Sequence, residues 1–183
     1  MNKLIAALVI AGVLSPVHAA VTDVESNGFT LSQSVSIAAA PDKVYALLIE
    51  PARWWSSGHT FSGSAANMSL DARAGGCFCE RLPGGGSVQH LTVIAAEPGK
   101  SLRLVGMLGP FQAVAGSGVM SFTLTSGKAG TTLAMTYQIA GYANVKLRDK
   151  GYDYWSAAAD GMLSEQLGRL KRAAETGSPD TGP

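Results

Sequence analysis

YDYWSAAADGMLSEQLGRLKRAAE, Tyr152 to Glu175, is the longest stretch of the chain with helical periodicity. Tyr154, Trp155, Ala158, Met162, Leu163, Leu167, Leu170 and Ala174 recur at intervals of three and four, while Asp160, Glu165, Arg169 and Arg172 fall on the other side. The pattern predicts one long helix with a single apolar face. Burying about six to eight such side chains at roughly 1.5–3 kcal/mol each gains on the order of 10–20 kcal/mol before ordering entropy is subtracted. That suffices to dock the helix on a partner, and the chain upstream offers a sheet.

Phe29 to Ile37 alternates, with Phe29, Leu31, Gln33, Val35 and Ile37 on one side and Thr30, Ser32, Ser34 and Ser36 on the other. Ala40-Pro41-Asp42 starts a short helix with Val44, Tyr45, Leu47 and Leu48 on its apolar side, and Pro51 ends it. Ala52 to Ser56 reads as a second short helical turn carrying Trp54 and Trp55, and His59 to Ala66 as a loop. Six further strand-like runs follow: Met68 to Arg73, Cys77 to Leu82, Val88 to Ala95, Ser101 to Met107, Gly118 to Thr125 and Thr131 to Ala140. Gly- and Pro-containing separators such as Pro83 to Ser87 and Ser126 to Gly130 supply the turns. Connections this brief require hairpins, so the expected sheet is seven-stranded and antiparallel.

The ends carry different signals. Met1 to Lys3 is a short basic region, Leu4 to Leu14 an apolar run, and Ser15 to Ala19 a break ending in a small residue. This is the pattern of a secretory signal peptide over residues 1–19, cut after Ala19, and it predicts a periplasmic or secreted protein. The apolar run is too short to span a bilayer comfortably, and no transmembrane segment is expected. Removing Lys3 from fourteen basic and thirteen acidic residues leaves the chain near neutrality. Such a balance excludes a basic stripe for nucleic acid or a polybasic membrane patch. Residues 20–175 have the size of one domain, and residues 176–183, rich in turn-formers with nothing to bury, are expected to be disordered.

The order of strand, two short helices, six strands and a long helix resembles the SRPBCC superfamily. This helix-grip group includes START lipid-binding domains, polyketide cyclases, birch-type pollen allergens and homologues of the heat-shock-protein ATPase activator. The resemblance rests on VSIAAAPDKVYALLIEPARWW (Val35 to Trp55), DARAGGCFCE (Asp71 to Glu80), VIAAEPGKSLRLV (Val93 to Val105), and the closing helix with Trp155 and LGRLKRAAE (Leu167 to Glu175). It implies an α+β helix-grip fold, a curved seven-stranded antiparallel sheet wrapped around the C-terminal helix. It also implies a ligand site between the two. Seven strands at about 4.8 Å make a sheet roughly 34 Å wide, whereas a helix is only about 10–12 Å across. Loops must fill the difference or leave an apolar hollow suited to a small hydrophobic or amphipathic ligand. Expected wall residues are Trp54, Trp55, Phe78, Leu104, Phe122, Met135, Tyr137, Trp155 and Met162.

Two side-chain pairs carry possible chemistry. Cys77 and Cys79 point to one face of a strand. A flat strand would hold their Cα atoms at about 6.5–7 Å, at or beyond the upper end for a disulfide. A bond there would be strained and easily reduced, permitting a redox role; quiet thiols or a structural bond are the other readings. Glu80 and His90 flank the Pro83 to Ser87 turn and, in one register, share a face as an acid/base pair. A one-residue slip would separate them. With only His59 and His90 left after export, neither a metal nor a cofactor is expected. Three functions follow: a binder of a small hydrophobic molecule, a cyclase- or hydrolase-like enzyme using Glu80 and His90, or an interaction module of the heat-shock-protein ATPase activator homologue type. Neutral charge and export weigh against the last.

Overall fold

The computed structural model describes residues 18–142 and 145–180. Its strands are β1 (His18–Glu25), β2 (Gly28–Ile37), β3 (Met68–Leu70), β4 (Cys77–Arg81), β5 (Ser87–Glu97), β6 (Ser101–Gly106), β7 (Gly116–Gly127) and β8 (Gly130–Gly141). Helix α1 (Pro41–Leu48) lies in the β2–β3 connection, and α2 (Val145–Thr176) closes the chain. All eight strands form one antiparallel sheet in the order β1-β2-β8-β7-β6-β5-β4-β3. The expected helix-grip α+β architecture is therefore present, with one strand more than the seven expected. The addition is β1, an edge strand whose side chains from Ala20 to Glu25 are largely solvated, so it lacks the alternation by which a half-buried strand is read. Its first two residues, His18 and Ala19, belong to the expected signal peptide; residues 1–17 of that segment lie outside the described residues.

The two strands with the clearest alternation pair with each other. Leu31 faces Tyr137, Gln33 faces Met135, Val35 faces Leu133 and Phe29 faces Ile139, all buried on the concave side. Gln33 is the polar member of this row, and its Nε2 donates to the carbonyl and to Oδ1 of Asp160 on α2, both at 2.8 Å. One hydrogen-bonding side chain thus ties sheet to helix. The predicted strand beginning at Met68 stops at Leu70, and Asp71–Gly76 forms the turn into β4.

Helix α2 breaks its regular geometry at Gly151, where φ is 73° and ψ is 162°, so the continuous rod begins at Tyr152 as expected. Its buried stripe is rotated from the predicted one. Tyr152, Ser156, Ala159, Leu163, Gln166, Leu167, Leu170 and Ala173 are buried, whereas Tyr154 and Ala158 are exposed and Trp155, Met162 and Ala174 half-buried. The rotation admits polar groups that have specific partners: Gln166 Oε1 accepts the Ser56 N–H at 2.8 Å, and Ser156 Oγ bonds the Asp153 carbonyl. Asp160 and Arg169, expected to face solvent, instead hold Gln33 and the Trp54 carbonyl. In place of the disordered tail expected from Thr176, residues 176–180 turn back on the helix: Arg172 Nε donates to the Pro179 carbonyl and Arg169 pairs with Asp180 at 2.6 Å. Residues 181–183 lie outside the described residues.

Candidate ligand cavity

The helix does not cover the sheet. Its half from Gln166 onward packs down, bonded to Ser56, Trp54 and Ser36, whereas the half from Trp155 to Leu163 stands over a cavity of about 510 Å³. The loop residues His59 to Phe61 and the 3-10 turn Gly109–Ala113 form two further sides, and His90 and Tyr137 the sheet side. A cavity of this size accommodates a small organic molecule.

Of the expected wall residues, Trp55, Tyr137, Trp155 and Met162 line the cavity. Trp54, Phe78, Leu104, Phe122 and Met135 do not: all five are buried in the packed core. Trp54 donates its Nε1–H to the Leu47 carbonyl and packs edge-on against Trp55, and Phe78 lies behind the wall against Trp55 and His90. Residues not expected on the wall include Phe61, Leu108, Pro110 and Phe111. They sit in short 3-10 or loop segments that lack periodicity, so the loop assignment itself was the available signal.

Glu80 and His90 do meet. Glu80 Oε2 lies 3.0 Å from His90 Nε2, with both side chains all but inaccessible to solvent. The register supplies the reason. Glu80 pairs with Val88 and Cys79 with Gln89, but Phe78 pairs with Leu91, so His90 is the extra residue of a β-bulge. The bulge turns both His90 and Leu91 inward, which also explains why the alternation around Leu91 and Val93 reads two ways. Glu80 further accepts the Phe61 N–H at 3.1 Å and the Ser62 N–H, so the carboxylate anchors the cavity loop.

Burial alone would raise the Glu80 pKa, but the donors from Ser62, Phe61 and His90 outweigh it and hold the carboxyl below its usual range. For His90, burial lowers the pKa by more than the neighbouring carboxylate raises it. The imidazole is therefore neutral at neutral pH, with its hydrogen on Nε2 toward Glu80 and a lone pair on Nδ1. Nδ1 is buried and has no partner among the described residues. Phe61 and Phe78 pack on the ring, with centroids 5.9 and 5.3 Å away. Tyr137 does not titrate near neutrality, because burial pushes its hydroxyl upward despite the Leu108 N–H bond.

Cys77 and Cys79 lie on the other face of β4 from Glu80, joined as a disulfide with Cα atoms 5.4 Å apart. The separation is shorter than a flat strand allows, and it falls inside the ordinary disulfide range. His59 pairs with Glu165 of α2 at 3.1 Å, bridging the loop to the helix. No group of three or more potential metal ligands occurs among the described residues. No helix among them is long and apolar enough to cross a membrane.

Comparison with known proteins agrees with this architecture. A conserved protein of unknown function from Enterococcus faecalis superposes with a TM-score of 0.58 at 16% identity, over 91% of this chain and 80% of its own. A protein of unknown function from Staphylococcus aureus gives 0.59 at 14% identity, over 84% and 97%. A protein from Rhodobacter sphaeroides gives 0.53 at 19% identity, over 84% and 95%. These similarities show a shared fold. No curated protein matches the chain. The family model described as polyketide cyclase / dehydrase and lipid transport matches residues 28–175, which span every strand from β2 onward and α2 almost to its end. The resemblance to the SRPBCC superfamily is thereby confirmed, and the chain belongs to its polyketide cyclase/dehydrase and lipid transport family.

Proposed function

We propose that the protein is an exported binder of a small hydrophobic molecule, held between α2, the Phe61 loop and the sheet. The observation that carries this reading is the cavity of about 510 Å³ lined by Trp55, Phe111, Trp155 and Met162 in a domain whose core is otherwise packed. Export is supported by the leader-like residues 1–19 and by the Cys77–Cys79 disulfide, which suits an oxidising compartment. N-phenyl-1-naphthylamine, a neutral fluorophore that brightens in apolar surroundings, tests the cavity. Its emission should rise with the wild type and stay low with Ala159→Trp, whose side chain fills the space. Equal enhancement by the two proteins would place the dye elsewhere and overturn the reading. An intact mass of exported material starting at Ala20 is the expected result for the leader, and a mass retaining Met1 would refute export with cleavage.

A second reading, a cyclase- or hydrolase-like enzyme, is favoured by the Glu80–His90 pair. A buried carboxylate that fixes the tautomer of a wall imidazole leaves Nδ1 free to take a proton from a bound substrate. Glu80→Gln and His90→Ala should then both abolish turnover of a substrate identified by extraction from the protein. Retained turnover in either would confine the pair to a structural role.

A further inference from the structure

Along the cavity wall most polar groups are already engaged. Tyr137 donates to the Gly106 carbonyl and accepts the Leu108 N–H, Trp55 Nε1 donates to the His59 carbonyl, and Thr60 Oγ1 donates to the Ser57 carbonyl. Two buried atoms on wall residues have no partner among the described residues: His90 Nδ1 and Trp155 Nε1. Their chemistry is opposite. An indole N–H only donates, and Nδ1 of a neutral imidazole whose Nε2–H is committed to Glu80 only accepts. Folded proteins leave few buried polar atoms unpaired, and such exceptions call for an explanation. Neither Lys nor Arg lines the cavity, and a carboxylate stands directly behind His90.

We propose that the cavity selects neutral aromatic or alicyclic molecules bearing a hydroxyl group, the hydroxyl hydrogen going to His90 Nδ1, with Trp155 Nε1–H left to donate to an acceptor on the ligand. This rests on reading the cavity as a ligand site and adds the chemical class of the ligand. A ligand whose hydroxyl is capped as an ether forfeits the bond to His90. A carboxylate meets no cation and brings a second negative charge toward Glu80, so it is rejected for a different reason. Phe61, 56% exposed and stacked on the imidazole, is the side chain whose displacement admits the ligand to that end.

The test compares 2-naphthol, 2-methoxynaphthalene and 2-naphthoate on the purified protein at pH 7.5 by calorimetry and by histidine side-chain 15N NMR. 2-Naphthol should bind about tenfold more tightly than the ether, equivalent to about 1.4 kcal/mol. It should also shift the His90 Nδ1 resonance, which the ether leaves in place. The naphthoate should bind at least about tenfold more weakly than 2-naphthol. His90→Phe should lower the 2-naphthol affinity to that of the ether on the wild type; the NMR measurement needs no variant and stands if this one misfolds. Equal affinities for naphthol and ether with Nδ1 unmoved would overturn the hydroxyl proposal while leaving the cavity a ligand site. Failure of all three probes, together with failure of N-phenyl-1-naphthylamine, would overturn both.

Discussion

Replacing Glu80 with glutamine perturbs the centre of the site with almost no change of shape. The carboxylate accepts the N–H groups of Phe61 and Ser62 and the Nε2–H of His90, and none of it reaches solvent. A glutamine carbonyl satisfies part of this arrangement, but its amide nitrogen must then face at least one donor. Hydrogen bonds to a charged group contribute about 1.5–3 kcal/mol each. Losing one and weakening the other two gives an expected destabilisation of about 3 kcal/mol. Glu80→Ala, which leaves all three buried donors without an acceptor at about 1–3 kcal/mol each, should cost about 5 kcal/mol. In a domain of this size each kcal/mol moves Tm by about 2–4 °C, so Glu80→Gln should melt roughly 6–12 °C below wild type. Paired urea and thermal melts followed by circular dichroism at pH 7.5 provide the measurement, with an unchanged m-value expected for a purely energetic effect. A loss below about 1 kcal/mol at constant m would refute the claim that this carboxylate organises the loop and the imidazole.

Acid should unfold the protein in two stages. Burial depresses the folded-state pKa of His90, so its contribution is complete above the unfolded value of about 6.5 and declines as pH falls below it. The Glu80 pKa is also depressed, and its contribution is lost only below about 4.3. Melts from about pH 8 to about pH 2 should show both stages, and the upper one should vanish in His90→Phe. Tyr137→Phe leaves the Leu108 N–H without its acceptor and should cost about 1–2 kcal/mol, with faster amide exchange at Leu108; unchanged exchange would remove that bond from the account. Gly106→Ala places a Cβ at φ 138°, 2.8 Å from the His90 carbonyl oxygen. It should destabilise by more than about 1 kcal/mol in denaturant melts. Reducing Cys77–Cys79 releases a very short loop, so chain-entropy reasoning gives a loss of only about 1.5 kcal/mol, measurable by urea melts with and without reductant.

Much of the scaffold was legible because its elements each have one wet and one dry face. The alternation of Phe29 to Ile37 and of Leu133 to Ile139 follows from strands covered by a helix on one side only, and these two strands pair in the core. The start of the long helix at Tyr152 was legible in its apolar periodicity, and the structure places the break in the helix just before it, at Gly151. Which azimuth the helix turns to the sheet was not, because Ser156 and Gln166 enter the buried stripe through individual hydrogen bonds that hydropathy does not register. β1 escaped for the opposite reason, since a solvated edge strand buries too little to leave a period.

At the site, residue types were readable and their meeting was not. Glu80 and His90 stood out as a carboxylate and an imidazole either side of a turn, but only an inserted residue in β5 brings both inward, and bulges leave no periodic trace of their own. Trp54, Leu104, Phe122 and Met135 have the same oily character as Trp55, Trp155 and Met162; the first four are buried in the core and the others border the cavity. Local pattern therefore assigned strands, helices and their buried faces, since those depend on neighbours a few residues away. Cavity, pairing partner and unpaired lone pair arise from side chains distant in the chain whose reach and register become defined only when the sheet curls around α2.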